Sequence, residues 1–528
     1  MWSLAAARIT LGYTQFTVAR VPVAAASSAP FREQGQEKNS WGVCLVGEEQ
    51  VGGSSRGMCA PVHMDRDLFV HEAEQGLRRR MPELSASKVI TCAQHVALLV
   101  LAAALVVFAF LWPRIAFATL IAMSSLHFFL STTFRGVLSL IGGSEPKARS
   151  PGPDDQLPIY TVLVPLYREA RVIPSLAQAL RSLAYPASKL DIKIIVEADD
   201  PETEAAARQL TDHAFHVIRV PPGQPKTKPR ACNYALQFAA GEFTVIYDAE
   251  DRPESDQLRK AVEIFRSTDD DLACLQARLD LYNAEESWIA RLFTLDYMVW
   301  FNSLLPGLGR LHVPMPLGGT SNHFRTSVLR ELGGWDPFNV TEDADLGIRI
   351  AQLGKRVAML DSTTFEEAPT QIGAWIKQRS RWLKGYMQTW LVHTRHPFAL
   401  WRNVGWQGFF AFHLFIGGAI MSALLNPVLW IFCGLSFFFD WTVFGGPLGQ
   451  DLLIVSGGSL VGGHAILTGL AVIGPLRRGL GNLAPYAFTV TLYWMLISIA
   501  AYRALHQLIV NPFHWDKTEH GLSKFSKP

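Results

Sequence analysis

Residues 96–112 and 115–134 contain no Lys, Arg, Asp or Glu, and only Pro113-Arg114 separates them. Each stretch approaches the roughly 20 apolar residues needed to cross a bilayer. A soluble core helix keeps a polar stripe along one side, and these stretches have none. The pattern returns at 403–439, 452–476 and 479–502, again without a charged side chain. A chain built this way cannot close around one water-soluble core. It must divide into membrane-spanning blocks and a soluble part, residues 142–397.

With Asn426-Pro427 read as a break, 403–439 supplies two spans, so two spans precede the soluble part and four follow it. Arg78-Arg79-Arg80 before the first span, and Arg135, Lys147 and Arg149 after the second, put both flanks on the cytoplasmic side. The expectation is a multi-pass inner-membrane protein with a cytoplasmic middle domain. Arg477-Arg478 fits poorly, because a six-span count leaves it outside; five spans repair that and export the C-terminus.

The apolar fraction is 49% and the charged fraction 18%, while 48 basic against 46 acidic residues leave a net charge of +2. That balance predicts no nucleic-acid partner. Cys44, Cys59, Cys92, Cys232, Cys274 and Cys433 show neither paired spacing nor nearby histidines, which argues against a zinc site or a disulfide framework. The first acid is Glu33, after Arg8, Arg20 and Arg32. This composition suits either a transit peptide or a disordered leader from an early start codon.

Within the soluble part, 160–166 (YTVLVPL) is the apolar, β-rich run of a strand buried on both faces. A helical stretch over 169–183 follows, then strands over 191–196, 216–220 and 243–247. Strands alternating with helices predict a mainly parallel, doubly wound sheet. Acids stand where such sheets bind ligands, beyond the strands' carboxyl ends. Glu197, Asp199 and Asp200 follow the second strand; Asp248, Glu250 and Asp251 follow the fourth. No glycine-rich phosphate loop is present, so phosphates would need a metal. Carboxylate oxygens suit Mg²⁺ or Mn²⁺.

Two further segments carry chemistry. Residues 340–347 (VTEDADLG) hold Glu342, Asp343 and Asp345. Residues 371–390 show a helical apolar stripe, as an interfacial amphipathic helix would. On its flank Gln378, Arg381 and Trp382 share the spacing i, i+3, i+4. An amide, a guanidinium and an indole together could hold a diphosphate and stack on a sugar ring.

The order EADD, KTKPRACNYAL, DAED, VTEDADLG, QRSRW between apolar blocks resembles the family 2 processive glycosyltransferases: cellulose synthase, hyaluronan synthase and bacterial exopolysaccharide synthases. The resemblance covers 157–390 and the flanking spans. It implies a GT-A-type α/β nucleotide-sugar domain inserted between transmembrane helices. Asp199 and Asp200 would contact uridine with Glu197 nearby, Lys228 would lie near the nucleotide, and Asn233 would follow on the next helix. Asp248 and Glu250 would occupy the positions that bind nucleotide and divalent metal. The family has Asp where Glu250 stands, so Asp251 would share that task. Asp343 would be the catalytic base supported by Glu342, Arg381 would meet the diphosphate, and Gln378 and Trp382 the acceptor. Trp515 and Thr518 resemble a gating segment, which favours six spans and a cytosolic tail; Asp345 reads as structural.

The resulting domain reading is a leader over 1–90, a hairpin over 91–140 and the catalytic domain over 157–370. Amphipathic helices over 371–402, a bundle over 403–505 and a tail over 506–528 complete it. The expected function is inverting transfer from a UDP-sugar to a growing β-linked polysaccharide, with export or regulatory partners in the envelope. The alternatives are a glycolipid synthase with a lipid acceptor, and a non-catalytic scaffold.

Overall fold

The computed structural model describes strands within 7–46 and residues 66–142, 153–439 and 447–514. In the leader, β1 (Ala7–Leu11), β2 (Thr14–Arg20) and β3 (Val43–Val46) pair antiparallel, where composition suggested no structure. Trp515 and Thr518 lie outside the described residues.

The soluble part is built on eight strands: β4 (Tyr160–Leu166), β5 (Leu190–Glu197), β6 (Phe215–Val220), β7 (Phe243–Ile246), β8 (Arg252–Pro253), β9 (Leu272–Leu281), β10 (Asn322–Arg325) and β11 (Arg356–Glu366). Their order is β6-β5-β4-β7-β10-β9-β11-β8. The four expected strands form one parallel half, with β4 and β5 buried along almost their whole length. The other half is mixed. β10 enters antiparallel between β7 and β9, while β9 and β11 run parallel. The sheet is therefore mixed rather than mainly parallel. Strand composition encodes burial, not direction, so the alternating pattern could not reveal the reversal.

Five helical segments are long and apolar enough to cross a membrane: Cys92–Leu111, Pro113–Ile141, Pro397–Phe438, Gly449–Arg477 and Ala484–Val510. The first has no buried residue although it is almost wholly aliphatic and aromatic. Such a continuous apolar surface needs a non-aqueous surrounding.

The six-span expectation is corrected here. Asn426-Pro427 does not divide 403–439: the helix Gly418–Phe439 runs straight through Pro427. Proline is tolerated inside membrane helices because neighbouring groups re-satisfy the freed carbonyl. The bend falls earlier, at Gly405, whose φ of 69° lies in the left-handed region that glycine enters freely. The following helix, Pro447–Arg477, brings Arg478 back to the sheet domain. Arg478 Nη1 ion-pairs with Asp280 Oδ2 at 2.7 Å, at the end of β9. Arg478, which a six-span count left outside, thus has a partner in the sheet domain.

The last helix, Val490–Val510, meets the soluble part at both ends. Thr489 Oγ1 accepts from Trp288 Nε1 at 3.1 Å, and beyond the other end Phe513 packs edge-on against Phe338 at 6.0 Å. Between these points it lies along the helix Ile372–His393, where Tyr493 packs at a tilt against Trp375 with ring centres 4.7 Å apart and Pro512 O accepts from Gln388 Nε2 at 3.0 Å.

Candidate active site

A cavity of about 410 Å³ opens at the carboxyl ends of the parallel strands and continues among the apolar helices. Lys228, Asp248, Glu250, Glu342, Asp343, Gln378, Arg381 and Trp382 all line it, although they come from segments more than 150 residues apart. Glu197 lines it too.

Lys228, first residue of the helix Lys228–Leu236, reaches Asp248 Oδ1 at 2.5 Å and Gly319 O at 2.9 Å. Burial alone would lower its pKa, but the carboxylates of Asp248, Asp343 and Glu342 outweigh that and hold the ammonium well above its ordinary value. Lys228 is therefore a fixed cation at the centre of the acids.

Glu342 and Asp343 occupy the first turn of the helix Glu342–Gln352, with Thr341 before them. A helix start favours carboxylates. Burial nevertheless pushes the Asp343 pKa well up, and the neighbouring charges of Glu342 and Asp248 add to it, against Lys228 and Trp335. Asp343 Oδ1 is buried without a hydrogen-bond partner. A buried carboxylate oxygen left without a donor is costly for folding and open to a ligand's proton. Burial also raises the Glu342 pKa, partly offset by Lys228 and Arg381. Asp345 points elsewhere. It ion-pairs with Arg349 Nε at 2.8 Å and accepts from His393 Nε2 at 2.9 Å, with all three side chains buried. It ties this helix to Ile372–His393, a structural task as its position suggested.

Close packing sets the spacing of these two helices. A Cβ on Gly385 would lie 2.1 Å from Thr341 Oγ1 and 2.6 Å from Thr341 Cβ. Gly385→Ala therefore pushes the acidic turn away from the cavity. Overpacking of this kind costs about 1–3 kcal/mol, and the expected result is a lowered Tm together with weakened transfer, read by thermal unfolding and product formation.

Asp248 and Glu250 face the cavity, but Asp251 does not. It is 2% exposed, and its Oδ2 accepts from Asp248 N at 2.7 Å and from the Thr320 hydroxyl. Burial, then Glu366 and its two acidic neighbours, push its pKa well up. The expected sharing of a metal by Asp251 is corrected: its carboxyl pins the loop from beneath. Among the described residues no group of three or more acids, histidines or cysteines gathers tightly enough to hold a metal unaided. Two hard oxygen donors on a cavity wall still suit Mg²⁺ or Mn²⁺ when substrate phosphates complete the shell.

The first acidic cluster is also redistributed. Asp200 is buried and accepts from Thr203 N and Arg168 N, capping the helix Pro201–Ala207. Asp199 reaches the cavity only through Lys226, its partner at 2.5 Å, which lowers its pKa. Lys226 in turn contacts Tyr167, donating to its hydroxyl at 2.9 Å and lying 4.0 Å from the ring centre. Glu197, its pKa raised by burial and offset by Arg230, is the member of this cluster that faces the space. Asn233 holds the turn before the acidic helix, bonding Trp335 N at 2.9 Å and Trp335 O at 2.7 Å.

Sequence reasoning missed Tyr167, Lys226 and Arg379. Arg379 interrupts the apolar stripe of residues 371–390. It sits within 4.7 Å of the Phe293 and Trp382 ring centres and pairs with Asp296. Burial opposes its charge, but Tyr493, Asp296 and Tyr297 raise its pKa. The caged cation supports Trp382, which stacks on Tyr297 at 6.3 Å. Its only signal was its place between Gln378 and Arg381.

The site is thus a mixed sheet with acids at its strand ends, bounded by helices long and apolar enough to cross a membrane. The family model described as Glycosyl transferase family group 2 matches residues 243–444. A probable glycosyltransferase, YdaM, of Bacillus subtilis is 26% identical over 51% of this chain and 65% of its own length. A beta-monoglucosyldiacylglycerol synthase of Nostoc is 26% identical over 54% of this chain and 62% of its own. A probable glucomannan 4-beta-mannosyltransferase of Arabidopsis thaliana is 28% identical over 44% of each chain. In each case the match spans less than two thirds of the relative's length. These matches make the chain similar to family 2 glycosyltransferases.

Proposed function

We propose that this protein transfers a sugar from a nucleotide-sugar donor, with inversion, to a hydroxyl presented from the membrane. The observation that carries the reading is the convergence of Asp343, Lys228, Asp248 and Arg381 on one cavity. Asp343, its Oδ1 without a donor, takes the acceptor hydroxyl's proton as that oxygen bonds to the anomeric carbon. The bond from that carbon to the diphosphate breaks, and the electron pair leaves with the nucleotide. Lys228 and Arg381 face the charge that grows there. Asp248 and Glu250 would hold a divalent cation, which neutralises part of the diphosphate. Gln378 and Trp382 position the acceptor, with Arg379 and Asp296 steadying Trp382.

The acceptor's class turns on the far end of the cavity. The glucan- and hyaluronan-like reading drew on six spans, where five candidates are found among the described residues, and on Trp515 and Thr518, which lie outside them. Ala419, Leu467, Ala471, Val490 and Ile497 line the cavity where it enters the apolar helices. Aliphatic walls fit acyl chains better than a hydroxyl-rich glycan, so a glycolipid product is favoured over an extruded polysaccharide. The contacts at both ends of Val490–Val510 support a final helix lying along the catalytic domain rather than crossing. Four crossings then leave that domain and the chain end on the same, cytoplasmic side of the inner membrane.

The test is nucleotide release and sugar transfer by the detergent-solubilised full chain, across UDP- and GDP-sugars with Mg²⁺ or Mn²⁺. Release from one donor, abolished by EDTA, is the expected result. Silence across the panel from folded protein would overturn the reading and revive the scaffold.

A further inference from the structure

Arg135 entered the sequence reading as a positive flank, outside the membrane. The helix Pro113–Ile141 instead continues past it, and the side chain is 8% exposed and lines the catalytic cavity. No carboxylate lies within ion-pairing distance of it among the described residues. Its guanidinium sits 5.5 Å from the Phe415 ring centre, and Asp296, the nearest acid acting on it, is already paired with Arg379. A buried cation without an ion pair is costly. One facing the interior of apolar helices is by default a group awaiting a ligand. Six residues separate Arg135 from the helix end at Ile141, about 9 Å at 1.5 Å per residue.

Resting on the sugar transfer proposed above, we propose that the acceptor is a membrane lipid carrying both a phosphate and a free hydroxyl. Arg135 binds the phosphate. The aliphatic residues Ala419, Leu467, Ala471, Val490 and Ile497 receive the acyl chains, and the hydroxyl is left for Asp343. The guanidinium suits phosphate because its forked donors can engage two oxygens at once. The transfer balances as before: a new carbon–oxygen bond forms at the lipid hydroxyl, its proton goes to Asp343, and the nucleoside diphosphate departs.

The experiment uses the full chain in polyoxyethylene-detergent micelles, with three probes added separately. Phosphatidylglycerol carries phosphate and hydroxyl, phosphatidylcholine phosphate alone, and diacylglycerol hydroxyl alone. Donor hydrolysis without lipid, sensitive to Asp343→Asn, tests the sugar-transfer reading on its own. If the inference holds, phosphatidylglycerol becomes labelled, phosphatidylcholine competes without being labelled, and diacylglycerol is labelled at least about tenfold less efficiently. Arg135→Gln raises the phosphatidylglycerol concentration for half-maximal labelling by about tenfold or more, and Arg135→Lys by less. Equal labelling of diacylglycerol overturns the proposal. So does unchanged lipid dependence in Arg135→Gln, or competition by inorganic phosphate as strong as by phosphatidylcholine. Weakened UDP binding by that variant without lipid would assign Arg135 to the donor instead. The three-lipid comparison in the unaltered protein decides the matter if Arg135→Gln does not fold.

Discussion

Asp343→Asn lowers sugar transfer by about 10²–10⁴-fold, the range in which a positioned general base contributes, without lowering Tm. The two readouts separate for a physical reason. The Asp343 carboxylate is buried, crowded by Glu342 and Asp248, and its Oδ1 has no donor. A neutral amide of the same shape removes that burden from the folded state while abolishing the base. The raised pKa also gives the sign of the pH profile. Transfer needs the ionised carboxylate, so activity falls with acidification through a pKa above the ordinary aspartate range of about 3.9. It is retained on the alkaline side until another group titrates. A lowered Tm with unchanged turnover would instead make Asp343 a structural acid.

Asp345→Ala has the opposite signature: about 3–5 kcal/mol of stability is lost, the cost of leaving a buried partner charge uncompensated. Arg349 is fully buried and donates also to Leu332 O at 2.8 Å and Gly334 O at 2.9 Å, so it cannot swing out to water. Asp345 also holds His393 and thereby the helix carrying Gln378, Arg381 and Trp382. Denaturant unfolding should show the loss, with the fall in activity following the folded fraction. Asp345→Asn, which keeps a hydrogen-bond acceptor without the charge, should lose less. The two acids stand two residues apart in one helical turn, yet one points into the cavity and the other into the protein.

That contrast shows how far local pattern carries. Glu342, Asp343 and Asp345 stand out on composition alone, and a place near a helix start, where acids favour the dipole, suggested that Asp345 was structural. The electrostatic setting of Asp343 depends on Trp335, Lys228 and Asp248, brought in from other parts of the chain. Asp200 and Asp251 looked equivalent to Glu197 and Asp248 because a carboxylate reads the same whether it caps a loop or faces a ligand. Their neighbours Thr203, Arg168 and Thr320 decide, and no spacing rule names them.

What the sequence determined by itself was the division of the chain. Uncharged runs long enough for a bilayer, strand-length apolar segments and acids just beyond them are one-dimensional signals, because hydrophobic transfer and strand burial act on contiguous residues. The tertiary structure alone decided the antiparallel insertion of β10, the unbroken helix through Pro427, the pairing of Arg478 with Asp280 and the burial of Arg135 in the cavity. Each depends on the direction and proximity of segments distant in sequence, and electrostatic and packing energies act across space without regard to that distance.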